Sequence, residues 1–245
     1  MGLGEAQCDN ACGRRGPLLR ASWSKGGGTM KLYSYWRSSA SYRVRIALHY
    51  KSIAFDYVPI HLLKDGGEQH GDAYRAKNPM EQVPILEIEE NGTLRRLGQS
   101  LAIIEWLEES FPAPPLLPAN RYLRARTRQL AEIVNSGIQP FQNLTMRALI
   151  KNELGGDDVV IARRFIEKGL HAYATLAADV AGEFSVADAP TMADACLIPQ
   201  LYSARSLLVD LDQFPLLLRI EKNCRQLEGF QAAHPDKQMD AQSSV

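Results

Sequence analysis

Apolar positions along this chain alternate, then recur at helical spacing, then alternate again, and the order of these changes predicts the elements. Lys31-Leu32-Tyr33-Ser34-Tyr35-Trp36 starts abruptly after Met30, is rich in aromatics and ends at a serine cluster, so it predicts a strand. Val44, Ala47 and Leu48, with Ile46 beside them, recur at helical spacing through Tyr50. Alternation returns in Phe55-Asp56-Tyr57-Val58-Pro59-Ile60, and a strand, helix, strand unit of this kind predicts a parallel pair. A variable polar stretch covers 61–77. Val83-Pro84-Ile85-Leu86-Glu87-Ile88, the turn Asn91-Gly92 and Thr93-Leu94-Arg95-Arg96-Leu97 then predict a hairpin. The stretch 100–110 places Ile103, Ile104 and Leu107 on one face and Glu105, Glu108 and Glu109 on the other, an amphipathic helix.

The order strand, helix, strand, helix, strand, strand, helix, with a proline directly opening the third strand, predicts a thioredoxin-like α/β domain over 30–110. Residues 111–118 hold four prolines in eight positions, which excludes helix and central strand and predicts a linker. Beyond it only helical periodicity is present, near 120–150, 158–180, 191–207 and 216–230. An all-α domain over 119–245 with a flexible C-terminal tail is therefore expected. Residues 1–29 end in Gly26-Gly27-Gly28 and carry no apolar period, so they are expected to be a disordered leader, or a start assigned too early.

Composition narrows the partners. At 45% hydrophobic and 23% charged residues, with 28 basic against 28 acidic, the chain is an ordinary globular protein of zero net charge. Nucleic-acid and membrane-surface binding usually need a basic excess, and neither partner is expected. The apolar runs fall far below the roughly 20 residues that span a bilayer. Pro17-Leu18-Leu19, after Arg14 and Arg15, is too short for the core of a secretory signal, so a cytoplasmic protein is expected. Cys8 and Cys12 lack a second metal-binding pair, and Cys196 and Cys224 read as packing residues. His49, His61, His70, His171 and His234 show no metal spacing, and no metal is expected.

The candidate chemistry lies in Arg37-Ser38-Ser39-Ala40-Ser41-Tyr42-Arg43-Val44-Arg45, where the first strand turns into the first helix. A helix N-terminus presents unpaired N–H groups and partial positive charge, so an anion such as a thiolate is stabilised there. Ser38 could donate its O–H to that anion; equally, Ser38, Ser39 or Ser41 could simply cap the helix. Arg37 is a candidate for a substrate carboxylate or a solvated surface arginine. Tyr33 and Tyr35 read as packing residues of the strand. Arg121, Arg124, Arg126 and Arg128 read as a solvated helix face, with the rim of a dimer cleft as the other reading. Thr191 with Asp194 reads as a capping box.

The string 37–48 resembles the fingerprint of zeta-class glutathione transferases, Ser-Ser-Cys followed closely by Arg-Val-Arg-Ile-Ala-Leu. Asn78-Pro79-Met80-Glu81-Gln82-Val83-Pro84, Gln99-Ser100-Leu101-Ala102-Ile103-Ile104-Glu105, Gly137-Ile138-Gln139-Pro140-Phe141-Gln142-Asn143-Leu144 and Thr191-Met192-Ala193-Asp194 resemble the same family in order and spacing. The likeness runs from about Met30 to Phe230-Gln231-Ala232-Ala233-His234-Pro235. It implies a glutathione transferase fold, glutathione as cofactor and a homodimer. It further implies that Ser38 is catalytic and stabilises the glutathione thiolate, with Ser39, Ala40, Ser41, Tyr42 and Arg43 lining its pocket. Val83 would offer its backbone to the cysteinyl part, with a cis peptide before Pro84. Gln99 and Ser100 would hold the γ-glutamyl end and Gln69 would lie near the glycyl end. Gln139, Asn143, Leu144 and Thr145 would close the pocket.

Two positions depart from the pattern. The motif cysteine is Ala40, which puts the chemistry on Ser38 and the glutathione sulfur. Ser206 stands where a second arginine is expected after Arg205, leaving Arg37 and Arg205 as candidates for substrate carboxylates. The implied reaction is glutathione-dependent cis–trans isomerisation of an alkene conjugated to a carbonyl, as in maleylacetoacetate from tyrosine and phenylalanine breakdown. Maleylpyruvate isomerisation, or conjugation and dehalogenation of small α-halo acids, would use the same site. A transferase-fold binding protein without catalysis is the reading from another class.

Overall fold

The computed structural model describes residues 28–241, so most of the leader expected over 1–29, with Cys8 and Cys12, and the last four residues of the expected tail lie outside the described residues. Thr29 already belongs to the first strand, paired with Glu89. In chain order the first elements are β1 (Thr29–Ser34), α1 (Ser39–Tyr50), β2 (Asp56–Pro59), α2 (Asp72–Arg75), β3 (Ile85–Glu90), β4 (Thr93–Gly98) and α3 (Ser100–Ser110). The helix needed between β2 and β3 shrinks to the short α2, preceded by two 3-10 turns over Lys64–Gly66 and Glu68–His70. The sheet order is β2-β1-β3-β4, with β1 and β2 parallel and the other pairs antiparallel. This is the thioredoxin-like arrangement.

Helix α1 is buried on nearly every side from Ser41 to Leu48, because it lies between the sheet and the helices that follow. Val44, Ile46, Ala47 and Leu48 are wholly inaccessible and join Leu32, Leu86, Ile103 and Leu107 in one core. That core continues without a break into Leu130, Val134, Ile166, Leu170, Leu197 and Leu201 of the helical part. The proline-rich segment between the two layers is held by a buried ion pair. Lys51 Nζ meets Glu108 Oε2 at 2.7 Å and also donates to the carbonyls of Phe111 and Pro114, while Glu108 accepts from Leu116 N and Leu117 N.

The helical part holds α4 (Arg121–Glu132), α5 (Gln139–Gln142), α6 (Leu144–Asn152), α7 (Asp158–Ala177), α8 (Met192–Ser206), α9 (Pro215–Cys224) and α10 (Glu228–Ala232). The single helix expected near 120–150 is thus broken. A π-helical turn, Ile133–Ile138, follows α4, and the chain restarts at α5 and again at α6. Pro140 has no N–H to give to the carbonyl four residues back and its ring crowds that carbonyl, which explains the widened turn before it. Asn143 adopts an extended ψ of 161° and caps α6 through its Oδ1, which accepts from Met146 N at 2.8 Å. Gly169 of α7 lets the widened turn pack closely, since a Cβ there would lie 2.2 Å from Ile138 Cγ1.

The expected box at the start of α8 is present and buried: Asp194 accepts from Thr191 N, Thr191 Oγ1 and Ser185 N. The basic run on α4 is less solvated than its sequence suggests. Arg126 reaches the Leu176 carbonyl and Asp179 at the end of α7, and Arg128 forms a two-pronged pair with Glu105 of α3. Among the described residues no helix is long and apolar enough to cross a membrane.

Candidate active site

The turn from β1 into α1 is fixed from below. Arg45, wholly buried in the second turn of α1, donates to the carbonyls of Tyr35 and Trp36, to Ser34 Oγ and to the Ala233 carbonyl. Burial lowers its pKa to about 10, still far above neutrality, so it acts as a charged rivet beneath the loop that carries Arg37 and Ser38. Ser38 is the N-cap of α1, and its Oγ accepts from Ser41 N at 3.2 Å. An N-cap hydroxyl used in this way still has its own proton to donate. Both readings of this serine, cap and anion donor, are therefore compatible with one conformation.

Ser38 sits where two neighbouring cavities meet. The smaller, about 120 Å³, is lined among others by Ala40, Arg43, Gln69, Val83, Gln99 and Ser100. Its floor is polar and partly unsatisfied. Arg43 is almost wholly buried and spends its Nη1 on Ser100 Oγ at 3.1 Å and Asn135 Oδ1 at 2.6 Å. Among the described residues its Nε and Nη2 have no hydrogen-bond partner, and neither does Gln69 Oε1. Burial lowers the Arg43 pKa, against the nearby Cys196 and Glu132. The Val83–Pro84 peptide is cis. Gln99 holds φ at 65°, in the left-handed region that non-glycine residues avoid, and α3 begins after it with no side-chain cap, so its first-turn N–H groups lie beside the cavity.

The larger cavity, about 260 Å³, opens on the other side of Ser38. Its walls include Tyr35, Arg37 and Ser39 from the first turn, Gln139, Gln142, Asn143, Leu144 and Arg147 from the broken helix, and Tyr202, Ser203 and Ser206 from α8. Paired amides between Gln142 and Gln200, each donating to the other at 2.9 Å, tie α5 to α8. The helix break is what turns Gln139, Asn143 and Leu144 toward both cavities, while Thr145 lines the smaller one. Burial raises the Tyr35 phenol above its ordinary value, opposed by Arg37, so it stays protonated near neutral pH.

Most of the residues singled out from sequence converge here: Arg37, Ser38, Ser39, Ala40, Arg43, Gln69, Val83, Gln99, Ser100, Gln139, Asn143, Leu144 and Thr145 line one cavity or both. Three do not. Ser41 is wholly buried beneath the cap, with its Oγ unpartnered. Tyr42 faces away, edge-on to Tyr202 and His234, in a different cavity. One residue of advance turns a helix by about 100°, so a contiguous run cannot all face one pocket. Arg205 lines that other cavity too, and Glu221 grips it with both oxygens at 2.6 and 2.5 Å, which leaves it a poor candidate for a substrate carboxylate. Asn78, Glu81 and Gln82 line the smaller cavity and lie in a string the family likeness had flagged. Asn135 and Arg147 carried no such signal. Among the described residues no group of three or more His, Cys, Asp or Glu could hold a metal.

Comparison with known proteins points to one family. A family model described as glutathione S-transferase, N-terminal domain, matches residues 32–115. A Drosophila melanogaster protein named probable maleylacetoacetate isomerase 2 is 45% identical over 209 residues, 85% of this chain and 89% of that one. A maleylpyruvate isomerase of Ralstonia is 42% identical over 218 residues, 86% of this chain and the whole of its own length. Among solved structures, maleylacetoacetate isomerase from Anaeromyxobacter dehalogenans, with glutathione bound in its active site, superposes with a TM-score of 0.82 at 50% identity, covering 88% of this chain and 99% of that one.

Proposed function

The chain belongs to the zeta class of the glutathione transferase family, with the maleylacetoacetate isomerases, and from this premise we propose that it is an enzyme converting maleylacetoacetate to fumarylacetoacetate with glutathione as cofactor. The observation that carries the reading is the position of Ser38, at the N-terminus of α1 and at the junction of a polar cavity with a larger one.

The smaller cavity fits glutathione. Its lining of amides, hydroxyls and the Arg43 guanidinium suits a ligand that brings both carboxylates and amides. Val83 would meet the cysteinyl amide, Gln99 and Ser100 with the first turn of α3 the γ-glutamyl carboxylate, and Gln69 the glycyl end. Gln139, Asn143, Leu144 and Thr145 would close the cavity from the helical side. Ser38 would donate a hydrogen bond from its hydroxyl to the sulfur while the first-turn N–H groups of α1 favour the charged form. Arg43 adds a buried positive charge and, through Ser100 and Asn135, fixes the groups around it. Bound there, glutathione supplies a sulfur nucleophile that adds reversibly to the cis double bond and is returned unchanged. The chain's own part is to keep that sulfur ionised, to exclude water behind Leu62 and Leu144, and to hold the electrophile in the larger cavity.

A homodimer working in the cytoplasm completes the reading. Met80, Leu94 and Tyr122 are each about half exposed or more, as apolar side chains awaiting a partner surface would be. Assays of maleylacetoacetate, maleylpyruvate and 2-chloropropionate with glutathione test the assignment. Preferred turnover of the first is expected; preference for either of the others would reassign the substrate, and failure to bind glutathione by calorimetry would leave a non-catalytic binding protein.

A further inference from the structure

The larger cavity carries positive charge and no counter-charge on its walls. Of its fifteen lining residues two are arginines, Arg37 and Arg147, and none is acidic. Arg147 stands on α6, just past the helix break. Asp158 in the first turn of α7 takes its Nε at 2.6 Å, and both side chains are largely shielded, 29% and 16% exposed. That single bond leaves Nη1 and Nη2 without a partner among the described residues. A guanidinium fixed through Nε presents two parallel N–H groups from its Nη nitrogens, the arrangement that grips a carboxylate two-pronged. Arg37 is exposed and lies over the Trp36 ring, 5.4 Å from its centroid. Arg205 is spent on Glu221.

We propose that Arg147 is a specificity-determining residue that holds a carboxylate of the electrophile in this cavity, and that Asp158 is its positioning residue. The ligand class is a small carboxylate or dicarboxylate. The proposal rests on reading the larger cavity as the electrophile site. It also gives Ser206, which lines the same cavity from α8, a physical sense: a second cation there is unnecessary when α6 already supplies one.

The test is calorimetric titration of malonate into the glutathione-saturated enzyme, with malonamide as the uncharged control, beside steady-state turnover of maleylacetoacetate. Losing a two-pronged charged bond weakens binding by roughly ten- to a hundredfold. Arg147→Leu is expected to lose malonate affinity by that factor, to raise KM for maleylacetoacetate more than it lowers kcat, and to keep glutathione affinity. Because Arg147→Leu strands Asp158, Arg147→Leu with Asp158→Asn separates a folding defect from a binding one and should show the same loss of malonate. Adding Ser206→Arg to Arg147→Leu moves a cation to another helix lining the same cavity and should recover part of the affinity, which a merely structural arginine would not allow. Malonate binding that is absent from the native enzyme, matched by malonamide, or unchanged in Arg147→Leu overturns the proposal. If malonate binding depends on Arg147 while maleylacetoacetate is not turned over, the inference holds and the substrate reading falls.

Discussion

The Ser38 hydroxyl accepts from Ser41 N and keeps its own proton to donate. Removing it should therefore have two separable effects. Loss of the cap costs about 1 kcal/mol of stability, seen in chemical denaturation. Loss of the charge-assisted hydrogen bond raises the pKa of bound glutathione, so the thiolate fraction falls at neutral pH and returns as pH rises toward the ~8.5 of an unperturbed thiol. In Ser38→Ala, kcat/KM should drop steeply near pH 7 and recover part of the loss above it, whereas Ser39→Ala should leave the profile nearly unchanged. An unshifted thiol pKa in Ser38→Ala would move the role to Ser39 or Tyr35. Ser100 tests the other end of the ligand. Its Oγ accepts from Arg43, so Ser100→Ala would remove the proposed ligand contact and free another Arg43 donor; KM for glutathione should rise with kcat nearly kept. At this scale the family resemblance made Ser38 and Ser100 visible, and both stand at helix starts. It could not reveal Arg43 bridging Ser100 to Asn135, or Arg147 and Ser206 lining one cavity, because such meetings depend on how distant helices cross.

Two glutamates on α3 look alike in sequence and differ in the fold. Glu108 pairs with the wholly buried Lys51 and caps the backbone at Leu116 and Leu117, whereas Glu105 meets Arg128 at the surface. Breaking a buried pair leaves a stranded charge and costs about 3–5 kcal/mol. An exposed pair contributes about 0–1 kcal/mol. Denaturation midpoints should accordingly fall far more in Glu108→Ala than in Glu105→Ala; equal losses would mean the segment 111–118 is not held by this pair. The same layer shows why strands and single helices were readable and the site's far wall was not. Alternation and the 3.6 period are local, so β1, α1, the β3–β4 hairpin and α3 stand near their expected positions. The break at Ile133–Ile138 and the restart at Asn143 come from Pro140, with Gly169 of a separate helix permitting the close contact. A hydrophobic period averages over such a break.

The molecule as a whole has one apolar core through both layers, and Cys196 and Cys224 lie wholly inside it. Burial pushes the Cys196 thiol up to about 11 and Cys224 higher still. Neither should then alkylate at pH 8 until the chain unfolds, since the thiolate is the reactive form. Peptide mapping after iodoacetamide should show both unmodified in the native protein and modified in denaturant; native labelling would mean the core opens locally. With Ala40 at the motif cysteine's position, no thiol among the described residues lines either cavity, and the proposed sulfur chemistry is that of glutathione. The most direct measurement is product formed per glutathione supplied. With maleylacetoacetate in large excess over glutathione, fumarylacetoacetate should accumulate to many times the glutathione present, free thiol should stay constant, and nothing beyond the uncatalysed rate should form without it. Glutathione consumed mole for mole, or isomerisation at full rate in its absence, would contradict the account.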